Sequence, residues 1–180
     1  MNRQLPGYKY LLTYQYASVI YDLTQEFCAY YLPGKEWLRQ RDQMTQAARS
    51  GKQNIVEGYE LQSLENYIKL LGVANGSLKE LLEDYEDFLR QRRLPIWNKD
   101  DPKMRKMRDL RVVREPSLRL PQFPHIPHNP QPAGNLMLML CQRTTYLLQK
   151  QIESLRKKFV NEGGFREKLF KERLKKRNRF

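Results

Sequence analysis

Residues Arg41 to Gly58 read RDQMTQAARSGKQNIVEG, and the fold is decided there. Steps of three and four put Met44, Ala48, Gly51 and Ile55 on one line of a helix, with Ala47, Ser50 and Asn54 on the line beside it. A face made of Ala, Gly and Ser lets a partner helix come close, and Asn54 is placed to hydrogen-bond across such a contact. Gly51 inside a helix costs about 1 kcal/mol relative to Ala, so tight packing is the expected compensation. Gly58, following Glu57, suits the left-handed residue that ends a helix.

On the N-terminal side, the periodicity predicts a first helix over about Tyr8–Tyr31. Tyr10, Tyr14, Ala17, Tyr21, Thr24, Cys28 and Tyr31 recur at helical spacing, and Tyr16, Ile20, Leu23 and Phe27 widen the apolar stripe. Periodic tyrosines of this kind read as core with hydroxyls at its rim rather than as a base-stacking platform. Leu32-Pro33-Gly34 breaks the pattern, and a second helix runs over about Lys35–Glu57. Ser63 is a suitable cap for a third helix over about Leu64–Gln91. Its inner line is Leu64, Tyr67, Leu71, Ala74, Leu78, Leu81, Tyr85 and Phe88, flanked by Ile68, Leu82 and Leu89.

From residue 92 to 134 the composition changes, and eight of the chain's ten prolines fall there. A short basic helix fits between Pro102 and Pro116. The following PQFPHIPHNPQP must be extended or irregular, because each proline removes a donor and restricts its predecessor. His125 and His128, without Cys support, read as solvated rather than as metal ligands. Asn135 can cap a fourth helix to about Asn161, with Cys141, Thr144, Leu148, Ile152, Leu155 and Phe159 on its buried side. Gly163-Gly164 breaks it, and a basic helix or tail follows. The expected fold is all-α: an antiparallel four-helix bundle with a Pro-rich crossover before helix four and a basic C-terminal segment. Its parts are residues 1–91, 92–134, 135–161 and 162–180.

The Arg41–Gly58 stretch resembles the signature of four-helix-bundle proteins encoded in intervening sequences of large-subunit ribosomal RNA genes. Their pattern, Q-x-x-x-A-A-x-S-x-x-x-N-I-x-E-G, is met by Gln43, Ala47, Ala48, Ser50, Asn54, Ile55, Glu57 and Gly58. Many relatives carry Arg before the Ala pair, where this chain has Gln46. The group is similar to the accessory variability determinants of diversity-generating retroelements, which are basic and pentameric and bind RNA and reverse transcriptase. The resemblance extends into Ala74–Arg90, and EGGFREKLFKERLKKR resembles a subgroup with a C-terminal suffix segment. It implies RNA, a reverse transcriptase or other protein partner, and a pentamer.

Charge supplies an independent hint. The 180 residues are 40% hydrophobic and carry a net charge of +13, enough apolar material for one core or two small ones. Residues 59–89 hold two basic and seven acidic groups, whereas 90–119 hold eleven and four, and 156–180 hold eleven and three. Segregation of this kind favours a polyanionic partner. The candidate phosphate contacts are Arg49, Lys52, Arg105, Lys106, Arg108 and Arg111, then Arg156, Lys157, Lys158, Arg166, Lys168, Lys171, Arg173, Lys175, Lys176, Arg177 and Arg179. Glu80, Glu83, Asp84, Glu86 and Asp87 have no His beside them and read as a solvated face.

Cys28 and Cys141 read as buried reduced thiols of a cytosolic protein. The N-terminus lacks a secretory plan, and the apolar run Leu136–Cys141 falls far short of the roughly 18 to 20 residues that cross a membrane. No phosphate loop, His/Cys metal cluster or nucleophile elbow is present. The expectation is a cytoplasmic, non-enzymatic protein without a cofactor that binds RNA or a nucleic-acid-handling protein. The alternative is a protein-interaction scaffold that touches no nucleic acid.

Overall fold

The computed structural model describes residues 5–61, 63–108 and 125–177, and among them the chain is all-helical. The α-helices are α1 (Leu12–Tyr31), α2 (Leu38–Glu60), α3 (Leu64–Gln91), α4 (Pro102–Arg108), α5 (Pro130–Glu162) and α6 (Phe165–Arg177). Short 3-10 turns at Gly7–Tyr10 and Lys35–Trp37 lead into α1 and α2, so both helices begin later than the periodicity implies. The helix ends have local causes. α1 stops at Leu32, the residue before Pro33, whose backbone (φ −130°, ψ 51°) has left the helical region that a following proline disfavours. Ser63 Oγ accepts the Asn66 N–H at 3.4 Å and opens α3, whose bounds match the sequence reading.

α5 and its cap start six residues earlier than expected. Asn129, not Asn135, is its cap: Asn129 Oδ1 accepts the Gln131 N–H at 3.0 Å, and Pro130 and Pro132 occupy the first turn. A proline there loses no bond, because the first helical N–H groups have no intrahelical acceptor. Pro130 and Pro132, at the end of the stretch expected to be extended or irregular, therefore begin the helix. Gly163, with φ of 75°, ends α5 in a backbone region that glycine enters freely.

α1 packs against α2 and α5, and α3 packs against the same two. Paired positions fix the register. Thr13 Oγ1 donates to Gln151 Oε1 at 2.9 Å, while the Tyr31 hydroxyl at the other end of α1 donates to the Pro127 carbonyl. Phe27, Tyr85 and Phe88 form an aromatic centre, with ring centroids 4.9 and 4.7 Å from Phe27. Tyr85 is wholly buried, and its hydroxyl lies 2.9 Å from Thr24 Oγ1. Burying ring and hydroxyl together is cheap only with such a partner.

Met44, Ala48, Gly51 and Ile55 are all buried, as the spacing predicts. A Cβ on Gly51 would stand 2.8 Å from Leu78 Cγ, which is the close approach the small face permits. Two details differ. Gly58 does not end α2 in a left-handed turn. It lies inside the helix, and a Cβ there would stand 2.7 Å from Tyr67 Cδ2, so the residue makes room for a ring. Asn54 does not reach across either, since its Nδ2 turns back to the Ser50 carbonyl at 2.9 Å. Ser50 makes the inter-helix contact instead, its Oγ 2.9 Å from Ser77 Oγ.

The expected face of α1 is the inner one: Tyr16, Ala17, Ile20, Leu23, Thr24, Phe27 and Cys28 are buried, Tyr14, Tyr21 and Tyr31 pack half-buried against the core, and Tyr10, ahead of the helix, is exposed. The buried face is wider than the spacing implies, since Thr13, Ser18 and Val19 are buried too. Their cover comes partly from chain outside α1, which local periodicity does not register. The same holds for α5, where every residue from Ala133 to Cys141 is buried. Met104 of α4 joins this core, and Leu94, Trp97 and Met107 pack against it.

Candidate nucleic-acid interface

Past Ile152 no residue of α5 is fully buried: Leu155 still packs half-buried against the core, and the last turns run on with mostly exposed side chains; Val160 is 80% exposed. After the Gly163-Gly164 break, α6 continues as a helix without a buried residue. Between them, Arg156, Lys157, Lys158, Arg166, Lys168, Lys171, Arg173, Lys175, Lys176 and Arg177 are all exposed. Within residues 156–177 three carboxylates, Glu162, Glu167 and Glu172, accompany these ten cations, and Glu153, one turn earlier on α5, lies in the field of Arg156 and Lys157. Lys168 Nζ lies 3.4 Å from Glu162 Oε2, and Glu167 Oε2 accepts the Gly164 N–H at 3.2 Å. The sequence-assigned C-terminal residues thus come together on one projecting arm, except Arg179, which lies outside the described residues.

The middle block is separate. Arg105, Lys106 and Arg108 are exposed on α4; Arg111 and Arg114 lie outside the described residues. The chain entering α4 is tied to the start of α5, where Asn135 Oδ1 accepts the Trp97 N–H at 2.7 Å. Arg156 lies some 30 Å further along α5, at about 1.5 Å per residue. The two basic blocks therefore form two patches, not one.

The assignments on α2 divide. Arg49 is exposed. Lys52 is not presented with the others: its Nζ sits 4.0 Å over the Tyr21 ring, a cation–π contact that joins α2 to α1. Among the signature residues, Ala48, Ile55 and Gly58 are buried, Ala47, Ser50 and Asn54 half-buried, and Gln43 and Glu57 exposed. The three buried ones are packing positions of α2.

One feature was not legible in the sequence. Glu80, Glu83, Asp84 and Asp87 of α3 face Gln43, Gln46, Ala47 and Ser50 of α2 across an open groove of about 550 Å³. Burial first, then the charges of Asp87, Glu80 and Glu83, push the Asp84 carboxyl up to about 6. The α2 residues that line the groove are uncharged, and Arg90 of α3 pairs with Asp87 at 2.7 Å. A run of helical carboxylates signals solvent; only pairing α3 with α2 turns part of it into a groove wall.

His125 and His128 dock on different α1 residues. His125 Nδ1 is 3.2 Å from Glu26 Oε1, and His128 Nδ1 is 3.0 Å from the Tyr30 hydroxyl. Among the described residues, no group of three or more His, Cys, Asp or Glu is placed to hold a metal ion. Cys28 and Cys141 are free and buried, and burial pushes the Cys28 thiol up to about 11 and raises Cys141 further. Both are neutral thiols at ordinary pH and poor nucleophiles. No described helix is long and apolar enough to cross a membrane.

No family model, curated protein or solved structure matches this chain.

Proposed function

We propose that the chain is a non-enzymatic, self-associating protein that binds structured RNA, built as an antiparallel four-helix bundle of α1, α2, α3 and α5. Support for the bundle comes from the closed ring of packing partners and from the pairing of opposite ends. Thr13 meets Gln151, Gly51 meets Leu78, Gly58 meets Tyr67 and Gly134 meets Leu89. Two short turns and one long crossover suit that connectivity.

The observation that carries the functional reading is the basic arm of α5 and α6. Ten exposed cations against three carboxylates, beyond the core, exceed what a helix end needs for solvation. Held against a phosphate backbone, such groups release condensed counterions, giving affinity with steep salt dependence and little sequence preference. RNA rather than duplex DNA, and a reverse transcriptase as protein partner, rest on the resemblance.

Self-association is supported by charge at separate places. α6 starts beside Leu61, Leu64 and Tyr67, whereas the acidic groove begins at Ser77, about 15 Å along α3. The arm of one copy against the groove of the next makes a head-to-tail contact, which closes into a ring when the rotation permits. A pentamer is what the resemblance suggests. Exposed Phe165, Leu169 and Phe170 on α6 favour the second reading, a protein-docking scaffold without nucleic-acid contact.

The test is a salt titration of binding to a structured RNA. Replacing Lys175, Lys176 and Arg177 with Ala should weaken binding alike for unrelated sequences and lower the log–log salt slope by roughly two to three. The thermal midpoint should not move. Binding that survives both this change and removal of residues 165–180 transfers the interface to α4. Absence of binding at every salt concentration refutes the RNA reading and leaves the scaffold.

A further inference from the structure

The joint between α5 and α6 forms one side of an open cleft of about 220 Å³ lined by Leu61, Leu64, Tyr67, Lys158, Gly163, Phe165 and Lys168. Its aromatic wall is fixed. The Tyr67 hydroxyl accepts from Gln151 Nε2 at 2.7 Å, and Gly58 leaves room beside the ring that any Cβ would take. The Tyr59 ring stands edge-on at 6.1 Å behind it. Phe165 is placed by the positive φ of Gly163 and is 43% exposed, so one of its sides remains open to a ligand.

We propose that this cleft takes one unpaired nucleobase of a bound RNA, with Lys158 and Lys168 holding the phosphates on either side of it. The inference rests on the RNA-binding reading and deepens it. The volume is below the roughly 300 Å³ at which pockets for drug-sized molecules begin, and leaves room for a single planar ring. Two lysines disfavour organic cations. Leucine and aromatic walls suit a flat, apolar face better than a carboxylate chain. A ring flanked by anions satisfies both halves of the lining, and bases stacked inside a duplex do not offer such a ring. Lys168 is parked 3.4 Å from Glu162 Oε2 in an exposed pair of little strength, which a phosphate can displace.

The experiment compares two RNA hairpins, one fully paired and one carrying a single bulged aminopurine, a base whose fluorescence falls on stacking. The bulged hairpin should bind about tenfold tighter, with its fluorescence quenched, as base–aromatic stacking supplies. Phe165→Leu keeps the cleft apolar but removes the ring. It should abolish both the preference and the quenching, while affinity for the paired hairpin and the thermal midpoint stay unchanged. Lys158→Gln should weaken both hairpins. Equal affinity for the two without quenching overturns the cleft assignment and leaves the basic arm intact. Retention of the preference by Phe165→Leu also overturns it. If neither hairpin binds, the RNA reading falls and the cleft assignment falls with it.

Discussion

The side-chain oxygen of Asn135, wholly buried in α5, accepts the backbone N–H of Trp97 at 2.7 Å. Its Nδ2 donates to the Pro95 carbonyl at 3.1 Å and to the Gln131 carbonyl at 2.9 Å. One amide therefore serves both polar groups of a passing strand of chain and ties the segment before α4 to the core. Asn135→Leu leaves the Trp97 N–H and the Pro95 carbonyl without that partner. We expect a loss of about 1 to 3 kcal/mol. Hydrogen exchange should quicken at the Trp97 amide well before it does in the middle of α3, and unchanged protection there would refute the role.

Glycines in these helices divide by what surrounds them. A Cβ at Gly51 would lie 2.8 Å from Leu78 and one at Gly134 2.7 Å from Leu89, whereas Gly72 and Gly76 have nothing within 4 Å. Gly72→Ala and Gly76→Ala should each stabilise the fold by about 0.5 to 1 kcal/mol through helix propensity alone. The same gain at Gly51 should be outweighed by overpacking, about 1 to 3 kcal/mol, as should the larger insertion Ala48→Leu. Chemical denaturation of the four variants reads the signs directly, and a stabilised Gly51→Ala would mean that Leu78 yields freely.

Asp84 predicts a pH dependence. Its carboxyl, pushed up to about 6 in the folded protein, ordinarily titrates at 3.8. Between those values the folded state holds a proton that the unfolded chain has released, so this group's contribution to stability falls as pH rises through the window. Asp84→Asn should therefore stabilise the protein at neutral pH. The gain should be about 1 kcal/mol, reduced by solvent screening because the carboxyl is only half-buried. It should vanish as pH drops toward 3.8. A gain that persists in acid would point to packing rather than charge.

Self-association through the arm and the groove should be sensitive to salt and to either partner alone. Light scattering at micromolar concentration should give several times the 21.7 kDa of one chain, falling in high salt. Neutralising Glu80, Glu83 and Asp87 with Gln and Asn should lower the mass as removal of α6 does. A 21.7 kDa species under all conditions rules out the assembly and leaves the fold untouched.

Spacing alone determined much of this protein. The line Met44, Ala48, Gly51 and Ile55, the bounds of α3 and the cap at Ser63 follow from local periodicity and capping chemistry, and the basic blocks are visible in composition. Those features depend on neighbours within about one helical turn. Tertiary structure decided the rest, because the deciding partners are far away in the chain. Gly58 is a space for Tyr67 rather than a helix end, and Asn135 is a tether rather than a cap. Lys52 is engaged by Tyr21, and carboxylates that read as a wet face become one wall of a groove when α2 supplies the other. A side chain's burial and charge environment are sums over everything that packs around it, and a one-dimensional pattern records only the contribution of its own helix.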